Sequence, residues 1–251
     1  MNRLHSDIHN HSNRSKCGRP EMTVEAMVRQ FERLGVEIAG ISDHVYPDGK
    51  ALERYRQTKR ELEAISPGIR VVVGAEVDVL WPGRFDATME ELAAFDYVLF
   101  ACTHYQNRTV PAPIAISDEA IAQSAVDFMT YAASLPFVDV IVHPFHITGM
   151  ERYRNDFSAA AAIDLIPDEA FGRIARDMRR NSIAIELNGS LEELDYAHAI
   201  TRFYRICKAE GVKFSLGSDA HWLSGMGSIA LHGAYLNVLG ITEADIWIPR
   251  G

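Results

Sequence analysis

Seven short apolar runs alternate with amphipathic segments along this 251-residue chain, and that alternation narrows its possible folds more than any other feature. The runs fall at Leu4 to His9, Val36 to Ile41, Ile69 to Val79, Tyr97 to Cys102, Phe137 to Val142, Ser182 to Leu187 and Val212 to Leu216. Their β-branched and aromatic content predicts strands. Between them the apolar period changes to that of a helix. Thr23 precedes apolar residues at Val24, Met27, Val28, Phe31 and Leu34, and Gly35 follows, so the segment opens on a capping residue and stops on a glycine. Helices are likewise expected over Ala51 to Ile65, Thr88 to Ala94, Asp118 to Ser134, Asp168 to Arg180 and Glu192 to Ala209. Strands joined through helices pair in parallel with right-handed crossovers. Seven in succession without a Pro/Gly/Ser-rich linker predict one closed or nearly closed α/β barrel, a single domain over residues 1–251. The stretches Gly83 to Asp86 and His143 to Pro167 are read as loops.

Composition removes several function classes. With 34 acidic against 25 basic residues the net charge is −9, and no long basic run is present, so nucleic acid is not expected as a bulk partner. Three cysteines, Cys17, Cys102 and Cys207, lie far apart with no CxxC pair, which argues against a disulfide framework and for a reducing cytoplasm. No run of about 18 apolar residues offers a membrane span, and no basic segment with an apolar core opens the chain.

In a parallel barrel, reactive groups sit where strands end and βα loops begin. Here those places carry Asp7-Ile8-His9-Asn10-His11, Ser42-Asp43-His44, Gly74-Ala75-Glu76-Val77-Asp78, Thr103-His104, His143-Pro144, Glu186-Leu187-Asn188 and Gly217-Ser218-Asp219-Ala220-His221. His9 and His11, two residues apart, would project to one side of an extended chain. So many imidazoles and carboxylates brought to one end would be costly to bury without a compensating charge, and divalent metals bind those ligand types well.

In this order, HxH, SDH, GAE, TH, HP and GSDAH resemble the PHP family, named for polymerase and histidinol phosphatase. The resemblance covers the whole chain from Asp7 to His221. It implies a distorted seven-stranded (β/α)7 TIM-like barrel holding two or three divalent ions (Zn, Mn or Fe). On this pattern His9, His11, Glu76 and Asp219 hold one metal, His44 and His221 a second, and Glu76 bridges to a third completed by His104 and His143. Asp43 and Asp7 would orient neighbouring imidazoles. One departure is visible: where many members have a histidine before glycine, this chain has Cys17 before Gly18. A thiolate is a competent zinc ligand, so Cys17 either completes the second site or leaves it to Asp or water. His5 and His146 match no position of the pattern and are read as ordinary polar residues.

Closely spaced divalent metals generate hydroxide near neutral pH and neutralise charge on a phosphate's oxygens, so the expected chemistry is phosphoester hydrolysis by metal-bound hydroxide, without a covalent intermediate. Asp43 or His221 would assist proton transfer to the leaving group. The motif Glu76-Val77-Asp78, the segment Ser-Asp-His-Val-Tyr-Pro and the chain length are similar to the histidinol phosphatases, which makes a small-molecule monoester such as histidinol phosphate the expected substrate. Phosphate dianions call for cations. Arg14, Arg108 and Arg152 are the foremost choices, with Lys16, Arg19 and Arg154 beside them. The alternatives are a nucleotide phosphodiesterase of the same family, a metal-dependent deaminase or amidase, and a non-catalytic metal-binding module. The deaminase class would need a lysine at a strand end, whereas Lys213 opens its strand.

Overall fold

The computed structural model describes residues 5–107, 109–147, 149–189, 197–229 and 233–250. Among these residues there are eight strands: β1 Ser6–Asp7, β2 Ile38–His44, β3 Arg70–Trp81, β4 Arg84–Phe85, β5 Tyr97–Ala101, β6 Val140–Val142, β7 Ala184–Asn188 and β8 Phe214–Gly217. All but β4 run parallel in chain order, β1-β2-β3-β5-β6-β7-β8. The sheet then closes on itself. Ile8 N–H donates to Leu216 O at 2.9 Å, Asp219 N–H to His9 O at 2.7 Å, and Asn10 pairs with Ala220, so the first strand-end motif lies beside the last.

The strand period of two decides what faces the barrel axis. Ile8, Val72, Tyr97, Leu99, Ala101, Val140, Val142 and Ala184 form the apolar interior of the barrel. On β3, the residues in step with Val72 are Gly74, Glu76 and Asp78, which carries both carboxylates inward, while Ala75, Val77 and Val79 pack outward under the helices. Tyr97 fills the barrel beneath Glu76. A Cβ at Gly74 would come within 2.3 Å of its ring, so only glycine admits it.

Helices α1 Val24–Leu34, α2 Ala51–Ile65, α3 Met89–Leu92, α4 Asp118–Ala133, α5 Ala159–Asp164, α6 Asp168–Asn181, α7 Ala197–Glu210 and α8 Gly233–Leu239 complete the described elements. In α1 the Thr23 hydroxyl accepts from Ala26 N–H at 3.2 Å and Gly35 ends the helix at φ 70°, as its sequence predicts. Its buried Val24, Met27, Val28 and Phe31 cover β2, each worth about 1.5–3 kcal/mol of burial.

The differences from expectation are local. The regular part of the first strand ends at Asp7, and residues 1–4 are outside the described set, as are 190–196, where the predicted start of α7 falls. Gly83 to Asp86, read as a loop, folds β4 back on β3. His143 to Pro167 contains a 3₁₀ turn at Met150–Arg152 and the helix α5, which Ser158 caps by accepting from Ala161 N–H. Four alanines in six residues gave no amphipathic period to read there. No described helix is long and apolar enough to cross a membrane.

Candidate metal centre

The parallel register places His44, the last residue of β2, opposite Glu76 on β3, and Asp78 opposite Ala101 at the end of β5. Glu76 becomes the hub. Its Oε2 lies 3.1 Å from His44 Nδ1, 3.3 Å from His11 Nε2 and 3.6 Å from His9 Nε2, and its Oε1 lies 3.0 Å from His143 Nε2. Asp219 Oδ1 adds contacts to His11 Nε2 at 3.0 Å and His9 Nε2 at 3.5 Å. His104 stacks on His143 with ring centroids 4.5 Å apart, and His221 on His11 at 4.6 Å.

Around this hub a layer of hydrogen bonds sets each ring. Glu186 Oε1 takes the His9 Nδ1 proton at 2.7 Å, and its Oε2 accepts from His143 N–H at 2.7 Å and Asn188 Nδ2 at 2.9 Å. In the sequence Glu186 is one strand-end carboxylate among several; the structure makes it the orienting partner of two site histidines. Its close approach needs Gly217, where a Cβ would sit 2.2 Å from Glu186 Oε1 and 2.5 Å from His9 Cβ. Asp78 Oδ1 likewise holds His104 Nδ1 at 2.7 Å, and Asn107 Nδ2 steadies Asp78 Oδ2 at 2.7 Å. His221 Nδ1 donates to Asp219 O at 2.7 Å.

The electrostatics follow from burial against charge. Burial alone would raise Glu76, yet the neighbouring His44 and His9 charges and the His143 hydrogen bond outweigh it and hold its carboxyl well below the usual range. Asp219 is held low in the same way, by His9 and His11 against burial. Burial opposes protonation of His104, but Asp78 prevails and raises it to about 9. Burial, with the His143 and His104 charges, pulls His146 down to about 3. Non-glycine residues with positive φ cluster here: Thr103 at 65°, His143 at 29°, Phe145 at 58° and Asp219 at 52°, the local strain that folded chains retain mainly at functional sites.

These residues fit divalent metal. With Glu186 on His9 Nδ1, the nitrogen left facing Glu76 and Asp219 is Nε2, and both His9 Nε2 and Glu76 Oε2 are buried without a hydrogen-bond partner. Buried polar atoms are otherwise almost always paired, and a cation satisfies both atoms at once. Ligand atoms come within 4.8 Å of one another in five sets of three: His9, His11 and Asp219; His9, Glu76 and His143; His11, His44 and Glu76; His11, Cys17 and His221; His104, His143 and His146. Cys17 is exposed as a residue, yet its sulfur belongs to the fourth set. Partial burial, with the Glu76 and Asp219 carboxylates, pushes its thiol up to about 12.

Other expected residues lie elsewhere. The cavity over the hub, about 630 Å³, is lined by Lys16, Tyr46, Asp86, Gln106 and Asn107 besides the histidines, and neither Arg14 nor Arg152 reaches it. Arg14 pairs with Glu61 on α2, and Arg152 donates to Gln106 O at 2.8 Å. In each case a nearer acceptor holds the guanidinium. Arg108 lies outside the described residues. Asp43 accepts from Ser12 N–H, Ser12 Oγ and Ser15 Oγ at 2.6–2.7 Å and is not among the residues that line the cavity. Its link to an imidazole is indirect, through Ser15 Oγ to His11 Nδ1 at 3.3 Å. Among the described residues Asp7 has no hydrogen bond to an imidazole. It accepts from Ser218 N–H, Ser218 Oγ, Gly227 N–H and Asn10 Nδ2, and so ties β1 to the loop after β8. His146, set aside in the sequence, lines the cavity.

No family model matches the chain. A probable phosphatase of Acetivibrio thermocellus is 25% identical over 219 residues, covering 86% of this chain and 78% of that one. The DNA polymerase/3'-5' exonuclease PolX of Bacillus subtilis is 24% identical over 228 residues, which is 88% of this chain but 35% of that longer protein. Among solved structures, histidinol phosphate phosphatase of Lactococcus lactis, complexed with zinc, L-histidinol and phosphate, superposes with a TM-score of 0.64 over 95% of each chain at 14% identity, a likeness of fold. The barrel, the order of its strand-end motifs and relatives from both the polymerase and the phosphatase side agree with the resemblance to the PHP family.

Proposed function

We propose that this chain is a metal-dependent phosphatase acting on a small-molecule phosphate monoester. The observation that carries the reading is the convergence of four imidazoles within 3.6 Å on the buried Glu76 carboxylate, under an open cavity. His9, His11, Glu76 and Asp219 would hold one ion, His44, His221 and Cys17 a second, and Glu76 with His104 and His143 a third. Bound there, divalent ions supply Lewis acidity, which activates water near neutral pH and neutralises charge on phosphate oxygens.

The chain's own groups supply order and selectivity. Glu186 and Asp78 fix which nitrogen His9 and His104 present, and Asp43, through Ser12 and Ser15, anchors the turn that carries Lys16 and Cys17. Lys16 lines the cavity, its Nζ resting 4.4 Å from the Tyr46 ring centroid, and takes the phosphate-binding role expected of Arg14 or Arg152. His221 has Nδ1 committed to Asp219 O, so Nε2 can serve as ligand or as proton donor but not both at once. The ligand role fits its neighbours His11 and Cys17. The cavity has the scale of small-molecule sites.

The match to 78% of the Acetivibrio probable phosphatase supports phosphatase activity, and the PolX match makes diesters the rival substrates. The test is phosphate release from monoesters, histidinol phosphate first, and from nucleotide diesters, with Mn, Zn and Fe supplied separately to metal-free protein. Metal-dependent turnover of a monoester above any diester is expected. Faster diester cleavage, or no hydrolysis with any metal, would overturn the assignment.

A further inference from the structure

The segment after β6 reads His143-Pro144-Phe145-His146, and its backbone reverses twice, with φ 29° at His143 and 58° at Phe145. His146 N–H donates to His143 O at 3.1 Å and Ile147 N–H to Phe145 O at 2.8 Å, which closes both reversals. Phe145 anchors the turn in the apolar layer, edge-on to Phe171 at 5.2 Å and Phe203 at 5.1 Å. The preceding strand-end loop, after β5, holds it as well, since Thr103 Oγ1 donates to His146 O at 3.3 Å.

This fold of the loop returns His146 to the site. Its ring lies 5.4 Å from His143 at 80° and 5.9 Å from His104 at 86°, and one ligand nitrogen from each of the three comes within 4.8 Å of the others. Nδ1 of His143 and Nδ1 of His146 are both buried without a hydrogen-bond partner. His104 Nδ1, by contrast, is bound to Asp78, so its Nε2 is the nitrogen available to a cation. Holding His143 in strained backbone and burying His146 Nδ1 without a partner beside two other imidazoles is unfavourable unless a cation is bound there.

From this geometry we infer that His146 is a metal ligand, joining His104 and His143 on the third ion. The inference rests on the metal reading above and extends it. Three neutral nitrogen donors beside one shared carboxylate favour a transition ion over Mg²⁺, which prefers oxygen ligands and retained water.

The test is metal binding, independent of turnover. Metal-free wild type, His146→Ala and His146→Cys are titrated with Zn²⁺ and Co²⁺, with calorimetry for affinity and elemental analysis for stoichiometry. In His146→Ala, one ion of the wild-type set should weaken by about 10- to 100-fold or be lost, while the others keep their affinity. His146→Cys should restore that ion and add cobalt–thiolate absorption above the wild-type level. Unchanged stoichiometry and affinities in His146→Ala would overturn the inference and leave the metal reading standing. Wild type that binds neither metal would overturn both. If His146→Ala fails to fold by circular dichroism, the His146→Cys spectrum decides, and absence of added thiolate absorption counts against ligation.

Discussion

Glu76 serves two sides of the site through two oxygens: Oε2 faces His9, His11 and His44, and Oε1 faces His143. Glu76→Gln keeps its shape but removes one charge shared by both sides. We expect kcat/KM for a phosphate monoester to fall by on the order of 10³-fold or more, roughly 4 kcal/mol of transition-state stabilisation, with circular dichroism unchanged. A loss under tenfold would remove Glu76 from the bridging role. Cys17 is the residue at which this chain departs from the family pattern it resembles. Its sulfur shares a ligand set with His11 and His221, and burial, with the carboxylates nearby, raises the free thiol and keeps it protonated at neutral pH. Bound cation reverses that balance, because the thiolate is the ligating form. Cys17→Ser should therefore lose metal and activity together, whereas Cys17→His should retain both. Equal metal content in Cys17→Ser and wild type, measured by elemental analysis, would show the thiol to be a bystander.

At the scale of elements, the mouth of the barrel is held by its loops and its floor by the chain's last residues. Trp247 N–H donates to Phe214 O at 2.7 Å, and its ring meets Tyr97, the side chain that fills the barrel below Glu76. A short 3₁₀ turn, Glu243–Asp245, leads into Trp247, and Asp245 closes it by accepting from Thr242 N–H and Oγ1 at 2.8 Å and from Lys208 on α7. The Lys208 hydrogen bond, aided by the Thr242 contacts, lowers the Asp245 carboxyl from 3.8 to about 2. A carboxyl whose pKa is lower in the folded state stabilises the fold fully above its unfolded value and loses that contribution as pH falls through the folded value. The stability difference between wild type and Asp245→Asn should thus be constant above about pH 5 and shrink between about pH 4 and pH 2. Denaturant melts across that range check it, and a difference that grows on acidification would contradict the pairing.

For the molecule as a whole, the proposed ligands come from the ends of six strands, so bound ions would stitch β1, β2, β3, β5, β6 and β8 together at one face. Each ion at 100 times its Kd adds about 2.7 kcal/mol to the folded state. Chelation should lower the melting temperature by several degrees, and returning Zn²⁺ or Mn²⁺ should restore it; metal removal without a shift would show that the sites are not coupled to folding. The sequence alone determined the barrel and which imidazoles and carboxylates gather at one end of it, for a local reason. Alternation of period two turns Glu76 and Asp78 inward with Val72, and parallel strands must deliver their ends to one face, so His9, His44, His104, His143 and Asp219 meet wherever the barrel closes. What the tertiary structure decided are partnerships between residues distant in the chain. Arg14 went to Glu61, Asp7 to Ser218 and Gly227, Asp43 to Ser12 and Ser15, and Glu186 to His9, 177 positions away. His146 escaped the pattern because its place depends on two positive-φ residues, a conformation that histidine and phenylalanine adopt only when packing imposes it.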